Sequence, residues 1–242
     1  MQALAEAGTP GTTFGRVAEA YARTRPPYPR AAVERAAVEL GLGAEATVLD
    51  LAAGTGNLTR TLREVFAFVV AVEPDVEMRA QFEGDVLPGT AEEIPLADGS
   101  VDAVFVGEAF HWFDYERALA EIQRVAHGLA VFNRTWGFKE QPELLAQPFL
   151  DDLDAIWARF HGDSAHPDFP DWRDVVHPEG PERFIERVRI SGRDLVDLHL
   201  TGSTPASISD AERVEIAKRA YPLMDEEYDL RVVTDLYWKR FA

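Results

Sequence analysis

The stretch from Thr47 to Asn57, T-V-L-D-L-A-A-G-T-G-N, constrains the fold more than any other part of this chain. A short apolar run ends in an acid, Asp50. A turn of small residues follows, Ala52-Ala53-Gly54-Thr55-Gly56, and a helix-like segment begins near Asn57. A strand that stops at small residues before a helix lets a ligand lie against bare backbone. A second apolar run, residues 68–72, ends in another acid, Glu73. Two acids at the carboxyl ends of neighbouring strands form a binding site for an adenosine-containing ligand.

The pattern around that pair alternates. Residues 48–51, 68–72, 86–89, 101–106 and 129–134 read as strands, and residues 58–65, 75–82 and 115–126 as helices. Such alternation implies a parallel sheet covered on both faces. Upstream, residues 14–23 suit a short amphipathic helix. The run Arg25-Pro26-Pro27-Tyr28-Pro29 ends it, because prolines force extended backbone. Residues 31–40 form the next helix, with Gly41 as its stop. Downstream, residues 142–160 look helical and residues 161–181 read as a loop or lid. Strands over 183–190 and 230–237 flank helices over 194–200 and 210–224. The two late strands can pair antiparallel at the sheet edge. The expected organisation is a single domain: residues 1–30 as an N-terminal lid segment, 31–136 as a cofactor-binding core, 137–182 as an insertion over a substrate pocket, and 183–242 completing the sheet.

Composition excludes several functions. Lys and Arg total 24 against 42 Asp and Glu, a formal net charge of −18. An acidic surface repels phosphate backbones and gains nothing at an anionic membrane, so nucleic-acid and membrane partners are not expected. With no cysteine, disulfides, thiolate metal sites and a Cys nucleophile are ruled out. The N-terminus lacks the basic and apolar regions of a signal peptide, and no apolar run approaches about 18 residues, so a cytoplasmic location is expected.

The turn itself narrows the ligand. A dinucleotide site wants G-x-G-x-x-G with a pyrophosphate on the helix N-terminus; here Thr59 stands at the third glycine position, and Asp50 repels a pyrophosphate while suiting an ammonium group. No Gly-Lys-Ser/Thr follows, which excludes a Walker loop. Glu73 can accept both ribose hydroxyls. The first residues of Gly89-Thr90-Ala91-Glu92-Glu93-Ile94-Pro95-Leu96 can meet the adenine edge. Aromatic residues then crowd the carboxyl end of the fourth strand, in Glu108-Ala109-Phe110-His111-Trp112-Phe113-Asp114, where a doubly wound sheet has its ligand crevice.

These motifs together resemble the class I S-adenosylmethionine-dependent methyltransferases. Within them, F-x-x-x-A-x-x-Y-x-x-x-R-P-x-Y-P (residues 14–29) and A-F-H-W-F-D (residues 109–114) are similar to the small-molecule group that includes trans-aconitate methyltransferases. The resemblance implies a doubly wound, Rossmann-like α/β fold: a seven-stranded, mostly parallel sheet with an antiparallel edge strand and helices on both faces. It also implies S-adenosyl-L-methionine as cofactor. Asp50 and the turn Ala52, Ala53, Gly54 and Gly56 would then hold the methionine part, Glu73 the ribose, and Pro74 the flank of the adenine. Thr90, Ala91 and Glu92 would meet the adenine edge. Glu108 and Ala109 would sit near the sulfonium, and Tyr21 and Arg25 would close over the cofactor. Ala52 stands where the family has its first glycine, and Thr90 where it has an acid.

A sulfonium methyl is already electrophilic, so the protein mainly aligns a nucleophile and excludes water. His111 is the candidate base. Tyr28, Phe110, His111, Trp112 and Arg134 are the candidate substrate residues. His161, His166 and His177 share a stretch with Asp163, Asp168, Asp171 and Asp174, but the spacing matches no compact ligand motif, so no metal is expected. The expected activity is methyl transfer to an O, N or C atom of a small molecule, a carboxylate among the options, by a monomer or homodimer. The alternatives are a non-catalytic or repurposed cofactor-binding protein and, less in keeping with the turn, a nicotinamide-dependent oxidoreductase.

Overall fold

Six strands form one mixed sheet in the computed structural model, which describes residues 17–136, 139–161, 171–202 and 208–241. The strands are β1 (Thr47–Leu51), β2 (Phe68–Val72), β3 (Ala103–Gly107), β4 (Gly128–Thr135), β5 (Glu179–Ser191) and β6 (Glu227–Arg240), in the spatial order β2-β1-β3-β4-β6-β5. The first four run parallel; β6 pairs antiparallel with β4 and with β5. In β1, β3 and β4 nearly every residue is buried, as expected of central strands covered on both faces.

Alternate side chains divide between two cores. Val48, Phe105, Ala130 and Phe132 point to helices α2 (Arg30–Leu40) and α3 (Asn57–Leu62). Leu49, Leu51, Val104, Val106 and Val131 point to α5 (Tyr115–Val125) and α7 (Trp172–Val176). The remaining helices are α1 (Ala18–Thr24), α4 (Val76–Ala80), α6 (Gln147–His161), α8 (Gly192–Leu200) and α9 (Asp210–Ala220). Gly41 ends α2 in the left-handed conformation (φ 72°), the role a glycine at a helix C-terminus allows.

The expected seventh strand is not formed. Residues 86–89 make a single parallel bridge, Val72 to Leu87, with hydrogen bonds from the Leu87 N–H to Ala71 O and from the Glu73 N–H to Leu87 O. Pro88 has no N–H to continue the ladder. Helices α3 and α4 stop short of their expected ends. The bonds that follow them are the tighter i to i+3 kind, such as Val65 N–H to Leu62 O and Phe82 N–H to Arg79 O. The expected helix over 142–160 divides into a 3₁₀ turn, Pro142–Leu144, and α6. That over 210–224 ends at Ala220 with a 3₁₀ turn carrying Pro222. Part of the expected loop over 161–181 is helical: Asp171 caps α7 by accepting from the Arg173 N–H. The start of the helix over 14–23 lies outside the described residues.

The second half of the chain builds a layer beyond the carboxyl ends of the parallel strands. β4 stops at Thr135, opposite Val233, while β6 begins at Glu227. The overhang of residues 227–232 is about 20 Å long at ~3.3 Å per residue. Gln141 covers its exposed ladder: its side-chain amide donates to Arg231 O (2.9 Å) and accepts from the Arg231 N–H (3.0 Å). Phe149, Leu153 and Ile156 of α6, Leu195 and Leu198 of α8, and Ile216 of α9 then bury Leu230 and Val232 of the overhang. This helical cap draws on the segment between β5 and β6 as well as on α6.

Candidate cofactor and substrate site

The two acids of the opening motif come to adjoining strand ends. β1 and β2 are in register from Thr47 against Phe68 to Leu51 against Val72, so Asp50 lies beside Ala71, and Glu73 follows at once. Both residues are buried. Asp50 Oδ2 accepts a short hydrogen bond from the Thr59 hydroxyl. Its other oxygen, Oδ1, is buried without a partner. Burial pushes the Asp50 carboxyl up to about 7, and the Glu73 charge adds to the rise. Glu73 is raised as well, chiefly by burial, against the pull of two backbone donors. Those donors are the Gly54 N–H on Oε2 (2.8 Å) and the Asp75 N–H on Oε1 (2.9 Å). A carboxylate offers about four acceptor positions, so Glu73 keeps free lone pairs for ligand hydroxyls.

Glu73 therefore also anchors the glycine turn, a link the sequence does not show. The turn is left-handed at Ala52 (φ 57°), Gly54 (φ 59°) and Gly56 (φ 83°). A Cβ on Gly56 would come within 2.9 Å of the Phe82 ring, whereas one on Gly54 would meet open space. Ala52 holds a conformation that costs an L-residue roughly 1–2 kcal/mol. The open side of the turn at Gly54 is where a ligand can approach the main chain.

Around the turn, the expected adenine residues divide. Ala91 is buried in the core, Thr90 and Pro74 are exposed, and Glu92 accepts from the Asp114 N–H (2.9 Å). That bond ties the loop after the short bridge to the aromatic segment after β3. Asp114 in turn caps α5.

At the end of β3, Glu108 is also left-handed (φ 57°) and its N–H bonds Phe132 O (2.9 Å). Its carboxylate accepts from the Arg134 main-chain N–H and from Arg134 Nη2, both at 3.3 Å. Arg134 is buried, stacked 3.8 Å from the Tyr28 ring centre and 4.7 Å from that of Trp136. Tyr28 is buried too, and its hydroxyl fills the space a Cβ on Gly107 would need. Arg25 stacks on Tyr21 (4.3 Å) and donates to Thr201 O (3.1 Å). The N-terminal segment is thus docked across the strand ends, next to Glu108.

The residues of 110–113 differ in their surroundings. Phe110 is fully buried, packed against Phe113, Tyr115 and Trp172 in the α5–α7 core. It packs in the core here, at the start of the 3₁₀ turn Phe110–Trp112. His111 is exposed, with its ring 4.7 Å from that of Trp112. Crowding by protein atoms lowers its pKa, but water still reaches the ring, so the desolvation is partial. Among the described residues no group of His, Cys, Asp or Glu side chains could hold a metal. Asp163, His166, Asp168 and the His161 side chain lie outside the described residues. Nor is any described helix long and apolar enough to cross a membrane.

This geometry meets an independent comparison. Residues 49–132 match the family model of a methyltransferase domain. The match begins in β1 and ends in β4, so it contains Asp50, the turn, Glu73 and Glu108. An uncharacterized methyltransferase of Mycobacterium tuberculosis (strain ATCC 25618 / H37Rv) is 45% identical over 134 residues, 53% of this chain and 54% of that protein. A malonyl-[acyl-carrier protein] O-methyltransferase of Pectobacterium atrosepticum is 32% identical over 169 residues, 66% of this chain and 60% of that protein. The chain thus spans about half the length of the M. tuberculosis relative. A candidate type II methyltransferase from Anaeromyxobacter dehalogenans shares the fold at TM-score 0.53 and 24% identity, over 89% of this chain and 97% of that one. A candidate methyltransferase of an antibiotic biosynthesis pathway from Anabaena variabilis does so at TM-score 0.51 and 17% identity, over 89% and 99%.

Proposed function

We propose that this chain transfers the methyl group of S-adenosyl-L-methionine to an oxygen, nitrogen or carbon atom of a small molecule. One observation carries the reading: a buried carboxylate oxygen, Asp50 Oδ1, without a partner beneath a left-handed turn, next to a second buried acid. Such an oxygen suits a cation, and a buried acid pair suits a cationic nucleoside better than a pyrophosphate.

When bound, the cofactor supplies an electrophilic methyl group. Asp50 favours its ammonium group, the open face of Gly54 receives its backbone-like part, and Glu73 accepts from the ribose hydroxyls. Ala91 and Glu92, with Thr90 and Pro74 at the rim, flank the base. Glu108 and Ala109 stand at the reacting end, under the docked segment that carries Tyr21, Arg25 and Tyr28. Water is kept out by that segment, and acceptor alignment is the main catalytic device. His111 and Trp112, at the surface beside this end, receive the acceptor. An exposed imidazole with a lowered pKa is neutral at pH 7 and can take a proton from a phenol, amine or enol. A carboxylate acceptor needs no base, and the named substrate of the Pectobacterium relative carries one.

Calorimetry separates the readings. Micromolar binding of S-adenosylhomocysteine without binding of NADH supports a methyltransferase and refutes a nicotinamide enzyme. Methylated product from a panel of free and carrier-linked carboxylic acids, phenols and amines then sets an enzyme apart from a protein that only binds the cofactor. Strained Ala52 and exposed Thr90, both departures from the family pattern, are the features that favour that second reading.

A further inference from the structure

We propose that Arg134 is a positioning residue that latches residues 25–29 over the strand ends and holds Glu108 in place. The proposal rests on the methyltransferase reading and assigns Arg134 a task other than contact with substrate.

The latched segment cannot hold itself. Arg25 anchors one end through its side chain, which donates to Thr201 O; beyond it Pro26, Pro27 and Pro29 have no N–H to donate, so the main chain attaches through its carbonyl groups. Each of three carbonyls finds a donor. Pro26 O accepts from Arg134 Nη1 (2.6 Å) and from Asn57 Nδ2 (2.7 Å). Tyr28 O accepts from the Thr61 hydroxyl (3.3 Å), and Pro29 O accepts from the Ala32 and Val33 N–H groups of α2. Asn57 is the first residue of α3, directly after the glycine turn. Arg134 is on β4, the strand neighbouring β3. One carbonyl thus joins the segment to both sides of the site.

The second terminal nitrogen, Nη2, holds Glu108 Oε2. The flat face of the same group covers Tyr28, whose hydroxyl packs on Gly107. A single planar cation therefore fixes the segment and the strained residue after β3 together, and only a fork-shaped group can reach both. Both Nη nitrogens are already engaged, and the side chain is 1% exposed. Nε is buried without a partner, but at 1% exposure an anionic substrate would have to move the covering groups to reach it, which is why the geometry favours positioning.

The test combines hydrogen–deuterium exchange with titration of S-adenosylhomocysteine into the full chain. In R134Q, amides of residues 18–30 should exchange at least tenfold faster while β1 and β3 keep their protection, and affinity should fall about tenfold. R134K keeps the charge but reaches one partner at a time, and should recover part of the affinity. N57A removes the other donor to Pro26 O and should show a smaller effect of the same kind. Wild-type exchange over residues 18–30 together with wild-type affinity in R134Q overturns the proposal. If R134Q loses protection throughout the sheet, R134K decides, and wild-type exchange over 18–30 with wild-type affinity in that variant overturns it equally. A wild-type protein that binds no S-adenosylhomocysteine refutes the methyltransferase reading, while the exchange measurement still judges the latch.

Discussion

The acid-and-glycine edge of β1 and β2 and the helical cap on the β5–β6 overhang solve opposite problems. The first keeps polar groups buried and incompletely paired: Asp50 Oδ1 has no partner, Glu73 is raised by burial, and Ala52 sits left-handed. The second buries apolar side chains from α6, α8, α9 and β6 in an ordinary core. Buried polar strain of this kind collects where a ligand completes the structure. The contrast teaches that the two halves should respond differently to mutation, the cap through stability and the edge through binding.

The largest effect should come from the cap. Phe149→Ala empties a fully buried site and should cost about 3–5 kcal/mol of stability, read by urea titration. The folded protein should keep its S-adenosylhomocysteine affinity far better than an edge variant does. A comparable loss of affinity would erase the distinction between the regions.

At the edge, Glu73→Ala removes an acceptor and releases the Gly54 N–H. It should weaken S-adenosylhomocysteine by about 1.5–3 kcal/mol, the scale of charge-assisted hydrogen bonds. Unchanged affinity with an intact fold would mean that Glu73 is not the ribose acid.

Asp50 should show its burden in the free protein. Its folded pKa of about 7 lies above the ordinary carboxyl value of 3.8, so the folded state binds the extra proton across that window. Stability should therefore fall as pH rises from about 4 to 7. Asp50→Asn keeps an acceptor for Thr59 and removes the charge. It should flatten that slope and add about 1–2 kcal/mol at pH 8. A variant less stable than wild type at pH 8 would show that the carboxylate is compensated after all.

The smallest effect belongs to the turn. Ala52→Gly relieves a left-handed residue and should raise stability by about 0.5–1 kcal/mol, net of the extra freedom in the unfolded chain. A drop in melting temperature would show that the methyl group packs usefully.

Much of the edge was legible because it is local. β2 spans the expected residues, and the short runs that became β1, β3 and β4 lie within two residues of their expected ends. The missing seventh strand follows from Pro88, which a reading weighted toward apolar runs passes over. The cap was not legible as a unit. Its parts, such as Phe149, Leu195, Ile216 and Leu230, are distant in sequence and meet only in the fold. Phe110 shows a different limit: an aromatic residue after a strand suits a core or a pocket equally, and here it packs in the core. The double grip on Pro26 O was invisible because Arg134 and Asn57 carry no pattern that links them.

The most direct test of the central claim is titration of S-adenosylhomocysteine between pH 6 and pH 8, in buffers of different ionisation enthalpy. If its ammonium group requires ionised Asp50, a carboxyl of pKa about 7 makes affinity rise about tenfold over that range, with proton release on binding near neutral pH. In Asp50→Asn the rise should vanish. Binding that is independent of pH in the wild type, or equally pH-dependent in Asp50→Asn, would contradict the account.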